Sequence, residues 1–77
     1  MSDFQPIVSS NIESAAYDAA AKTITVKFRN GTAYKYFNAG PHLWQDFAET
    51  FDGENGRSAG KFFFAKIKAL DFESVEA

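Results

Sequence analysis

A chain of 77 residues makes one domain, and at this size only about 60% of the unfolded surface can be buried, so large apolar side chains must carry its stability. Nine Phe, three Tyr and one Trp meet that need, while the absence of Cys excludes a disulfide framework and a thiolate site and suits a reducing cytoplasm. A net charge of −2 weighs against a strongly electropositive nucleic-acid binder, and no apolar run approaches the length of a membrane span.

Residues 1–7 read as a flexible lead, with neither the basic start nor the apolar centre of a signal peptide. A single domain over 8–70 follows. Its first strand runs from Ser10 to Asp18, where Ile12, Ser14 and Ala16 alternate with Glu13, Ala15 and Tyr17. Asp18-Ala19-Ala20-Ala21 turns the chain, because four residues between two strands are too few to nucleate a helix. From Lys22 the residues Ile24, Val26 and Phe28 alternate with Thr23, Thr25, Lys27 and Arg29, and Asn30-Gly31 supplies the positive φ of a tight reversal. A β-hairpin is expected.

Its register has two alternatives. A two-residue turn at Asn30-Gly31 would set Lys35 opposite Val26 and bury a lysine. A three-residue loop with a bulge at Gly31 pairs Phe28 with Thr32, Val26 with Tyr34 and Ile24 with Tyr36, so the tyrosines pack inward and Lys35 points out beside Lys27. The bulged register is expected.

Gly40-Pro41 ends the sheet and opens a helix in which Leu43, Trp44, Phe47, Ala48 and Phe51 share one arc. Asp52 to Gly56 is a loop by composition, and Ser58 caps a second helix that runs to about Leu70. There Phe63, Ile67 and Leu70 share a face with Phe64 beside it, and Lys61 and Lys68 lie on the far side. Residues 71–77 form an acidic tail. The fold class is α+β, a three-stranded antiparallel β-meander with two α-helices packed on one face, and its core contains Ile24, Val26, Phe28, Tyr34, Phe47, Phe63 and Ile67.

Charge falls in blocks. Lys22, Lys27, Arg29 and Lys35 occupy the hairpin with no acid among them, and Arg57, Lys61, Lys66 and Lys68 form a second basic block. If both blocks face one way, a local patch survives the negative total.

Five segments together resemble the KTSC domain: Ser9-Ser10-Asn11-Ile12, Tyr17-Asp18, Phe28-Arg29-Asn30-Gly31, Tyr34-Lys35-Tyr36-Phe37-Asn38 and Gly60-Lys61-Phe62-Phe63. That domain is found at the C-terminus of some lysyl-tRNA synthetases and alone in short bacterial and phage proteins. The resemblance covers roughly Val8 to Leu70, and the Tyr-x-Tyr at its centre is its most specific piece. The chain departs twice, with Ala39-Gly40-Pro41 where the family has Val-Pro after the Asn, and Phe64 where it tends to have Asn. The link to a synthetase implies RNA binding, and the resemblance implies a fold more firmly than an activity.

Searches for chemistry come back negative. Asn55 replaces the first Gly of a phosphate loop at Gly56 to Lys61, and Phe62 replaces its hydroxyl. Glu54 would repel the phosphates that the Gly-x-x-Gly of a KH domain clamps. His42 lacks a Cys or a second His for metal. No enzyme activity, cofactor, metal or membrane association is expected.

Two functions remain. One is a small protein-interaction module in the cytoplasm, such as a phage-type factor acting on a host protein; the other is an RNA-binding accessory domain that contacts tRNA or single strands through a basic hairpin face. The candidate binding residues are Lys27, Arg29, Tyr34, Lys35, Tyr36, Arg57, Lys61 and Lys68. Acidity favours the protein partner.

Overall fold

Around the Asn30-Gly31 turn the chain lays down five antiparallel strands in sequence order, β1 (Gln5–Pro6), β2 (Ile12–Asp18), β3 (Thr23–Phe28), β4 (Ala33–Tyr36) and β5 (Phe72–Val75). Helices α1 (Pro41–Ala48) and α2 (Ala59–Phe62) lie between β4 and β5. This computed structural model describes residues 4–53 and 58–75.

The hairpin takes the bulged register. Gly31 has a φ of +93°, its amide donates to the Phe28 carbonyl at 3.1 Å, and the Phe28 amide donates to the Thr32 carbonyl at 2.8 Å. Ile24 therefore stands opposite Tyr36, Val26 opposite Tyr34 and Thr25 opposite Lys35. The Asn30 carboxamide oxygen closes the loop by accepting from the Thr32 amide and hydroxyl at 3.0 and 2.6 Å. At the other end of β3, the Asp18 carboxylate accepts from the amides of Ala20 and Ala21, and this keeps the alanines in a turn.

The sheet has five strands where the sequence predicts three. Its additions are β1 from the lead and β5 from the tail, pairing with β2 and β4. The physical reason is that β2 and β4 would otherwise be long edges of unpaired backbone N–H and C=O groups. Pairing continues past the strand ends, with the Ile7 amide on the Glu13 carbonyl at 3.1 Å and the Phe37 amide on the Asp71 carbonyl at 2.8 Å.

The alternation expected in β2 is also corrected. A bulge between Ile12 and Ser14 shifts the register, so Ile12 faces Phe28 while Ala15 and Tyr17 face Val26 and Ile24. Ser14 and Ala16 thus fall on the outer face, away from Ile12.

Both helices cover the face that carries the aromatics. Pro41 begins α1 where its missing N–H costs nothing, and Phe47 is fully buried with Trp44 and Phe51 edge-on to it at 6.1 and 4.8 Å. Tyr17 ties α1 to the sheet, since its ring stacks on Trp44 at 5.5 Å and its hydroxyl donates to the Ala39 carbonyl at 2.9 Å. The Ser58 hydroxyl caps α2 by accepting from the Lys61 amide at 3.3 Å. The expected second helix then continues as a π-helical turn over Phe63–Ile67, closed by the Lys68 amide on the Phe63 carbonyl at 2.8 Å. Phe63 and Ile67 stay in the core with all the predicted core residues, Phe28 and Tyr34 among its partly buried members. Phe64 is turned out, 57% exposed.

Candidate binding groove

Three segments far apart in the sequence meet beside the start of α2: Ser9 to Asn11 before β2, Arg29-Asn30 after β3, and Ser58 to Lys61. Between them lies a cavity of about 670 Å³, bounded by Val8, Ser9, Ser10, Asn11, Arg29, Gly60, Lys61 and Phe64. It continues into a second of about 470 Å³ that reaches Phe28, Asn30 and Phe63 and shares Ser10, Asn11, Arg29, Gly60 and Phe64 with the first. Together they form one groove of a size suited to a small ligand or a few residues of a peptide.

Its walls are fixed by short-range bonds. The Ser9 hydroxyl accepts from the amides of Asn11 and Ile12 at 3.2 and 3.3 Å, and this holds the turn into β2. Arg29 then staples the turn to β3, its amide donating to the Asn11 carbonyl at 3.0 Å and its Nε to the Ser9 carbonyl at 2.7 Å. Gly60 brings α2 alongside the turn, where a Cβ would sit at ordinary contact distance from the Ser58 and Ser9 hydroxyls, 3.8 and 3.9 Å. On the rim, Phe64 packs edge-on against Phe63 at 5.6 Å, with Lys68 Nζ 4.8 Å from its ring centroid.

The groove is cationic. Among the described residues no Asp or Glu lines it, and neither Arg29 nor Lys61 is ion-paired with an acid. Metal chemistry finds no ligand set, for no three His, Cys, Asp or Glu gather among the described residues. His42 stands exposed in the first turn of α1. Among the described residues no helix is long and apolar enough to cross a membrane.

The sequence-predicted binding residues separate into groups. Arg29 and Lys61 line the groove, and Lys68 reaches its rim through Phe64. Lys27 and Lys35 lie instead on the outer face, Lys27 within 3.7 Å of the Glu13 carboxylate and Lys35 across from Glu73. Arg29 of the hairpin block and Lys61 of the second block therefore meet at the groove, while Lys27 and Lys35 stand apart from it. Tyr36 is 4% exposed, and burial raises its pKa above the ordinary value of 10.0, with the neighbouring Tyr34 hydroxyl adding to the rise. Tyr34 is half-buried, edge-on to Phe28 and Phe72 at 6.0 and 5.7 Å. Tyr36 is thus closed to stacking on a base. Arg57 lies outside the described residues.

Residue-by-residue reading missed Ser9 to Asn11 and Phe64. A signal for them was nonetheless present, because three of the five segments that carry the KTSC resemblance are the three that meet here. A family model for the KTSC domain matches residues 8–72.

The chain belongs to the KTSC domain family.

The crystal structure of a KTSC domain protein from Yersinia pestis is similar to it, with a TM-score of 0.85 at 26% identity over 97% of this chain and 99% of that one. A protein of Tsukamurella paurometabola is 38% identical over 42 residues, which is 54% of this chain and 63% of that protein. The match therefore spans less than two thirds of the relative's length. In this KTSC domain the Tyr-x-Tyr segment is structural, with Tyr34 and Tyr36 in or against the core, while Ser9 to Asn11, Arg29 and Gly60-Lys61 build the groove.

Proposed function

We propose that this KTSC domain is a non-catalytic protein-interaction module that holds an extended segment of a partner in the groove beneath Phe64. The observation that carries the reading is a large exposed aromatic on the rim of an open cavity lined by both polar and apolar side chains, with walls pinned by hydrogen bonds. Pre-organised walls lower the ordering cost of binding. An exposed aromatic supplies the apolar anchor that interfaces favour.

RNA binding is the reading against which this one is tested. It draws less support, because Lys27 faces an acid, Tyr36 is buried, and Arg29 and Lys61 offer two phosphate contacts at the groove. The experiment pairs selection from a displayed random-peptide library with titration of single-stranded RNA at about 50 mM salt, where the electrostatic term is strong. Peptides retained by the parent and lost by Phe64→Ala are expected. RNA affinity with a salt slope near −3, about four contacts at −0.7 each, that collapses on replacing Lys27 and Lys35 together would reverse the assignment.

A further inference from the structure

Resting on the peptide-binding reading, we propose that the groove selects acidic segments, with Arg29 and Lys61 taking a carboxylate and Phe64 taking an adjacent apolar side chain. The chain as a whole carries ten acids against eight bases, so a cavity lined by two cations and, among the described residues, no acid runs against its own composition. A basic segment would be repelled there. A neutral one would cover the two cations without replacing the water that solvates them, which is costly.

The state of Arg29 narrows the choice further. Its Nε–H is committed to the Ser9 carbonyl, and this fixes the plane of the guanidinium and leaves the terminal nitrogens to bond a ligand. A planar two-oxygen acceptor matches that fork, and Lys61 adds a point charge that needs no particular direction. Beside them Phe64 is 57% exposed, and Lys68 over its ring keeps positive charge at the rim. A carboxylate next to an aliphatic or aromatic side chain satisfies all three. A polyanion would need more cations in line, and the next ones, Lys27 and Lys35, lie on the outer face with Glu13 and Glu73 as neighbours.

The test compares two displayed random octapeptide libraries, one enriched in Asp and Glu and the other in Asn and Gln at the same positions, selected on the whole chain. Selected peptides are then titrated into labelled protein while the Gly60, Lys61 and Phe64 amides are followed. Expected is a consensus with Asp or Glu beside Leu, Ile, Met or Phe, moving those amides, and losing about tenfold in affinity on Asp→Asn or Glu→Gln in the peptide and on Lys61→Glu in the protein. Lys61 is exposed, so its variant should fold, and Arg29→Lys reports separately on the fork. A neutral or basic consensus that moves the same amides would overturn the acidic selection and leave the peptide-binding module standing. No enrichment from either library would overturn both, and so would selected peptides that displace nothing when an RNA octamer occupies those amides.

Discussion

The two faces of the sheet use the same strands and differ in the size of what they carry. Toward the helices stand Tyr17, Phe28, Tyr34, Tyr36 and Phe72, which pack on Trp44, on Phe63 and on one another. The opposite face shows Ala16, Thr25, Lys27, Ala33 and Lys35. A chain this short can build one core, and Tyr17, Phe28, Tyr34 and Tyr36 lie in or against it, while Phe72 at the edge stays 57% exposed. A flat sheet with stacking rings, as in common RNA-binding domains, is therefore absent from the described outer face. Recognition is left to the border where sheet, first turn and second helix meet, which is where the groove lies.

The largest effect should come from breaking the helix-side face at its centre. Phe47→Ala removes a fully buried ring that touches Trp44, Phe51 and Phe62, and should cost about 3–5 kcal/mol in urea unfolding. An unchanged denaturation midpoint would show that the aromatic face is not the core.

A second test of the same face uses pH. Burial holds the Tyr36 hydroxyl neutral, so its folded pKa lies above the unfolded one. The folded state then keeps its proton more tightly than the unfolded state. Its contribution is fully present below about pH 10 and is lost as the pH rises through the higher folded value. Tyr36→Phe should therefore flatten the alkaline fall in stability relative to the parent. Parallel curves for the two proteins would mean that the hydroxyl is solvated in the folded chain.

The contrast between faces also explains what could be read in advance. The hairpin register follows from one glycine, since Gly31 fixes the loop length and a one-residue slip would move Lys35 to the helix side. Gly40-Pro41 and Ser58 likewise mark helix starts through local chemistry alone. The terminal strands lack such marks. Gln5–Pro6 contains a proline, and in Phe72-Glu73-Ser74-Val75 the two apolar residues fall on opposite faces, so neither segment shows a strand period. Both are strands because β2 and β4 offer them open edges, a tertiary cause. Of the groove, Arg29 and Lys61 were legible as cations, but Phe64 reaches the rim through a π-helical turn that no periodicity announces. Ser9 to Asn11 becomes part of a site only when Arg29 folds across it.

The smallest expected effect lies on the outer face, and it sharpens the comparison because it depends on β5. Lys35 sits across from Thr25 on one side and Glu73 on the other, all in a partly or fully solvated layer. Lys35→Gln should leave stability within about 0.5 kcal/mol, as changes at surface positions do. Lys35→Glu sets two carboxylates opposite each other and should cost a further few tenths, roughly 0.2–1 kcal/mol for a like-charge cross-strand pair. Exchanging the charges in Lys35→Glu with Glu73→Lys should restore the parent value, since only the relative sign of the pair matters to this term. A loss of several kcal/mol from Lys35→Gln would place the lysine stem on the helix side and revive the two-residue turn. A double variant no more stable than Lys35→Glu alone would show instead that Glu73 does not stand across from Lys35, and with it would fall the pairing of β4 with the C-terminal strand.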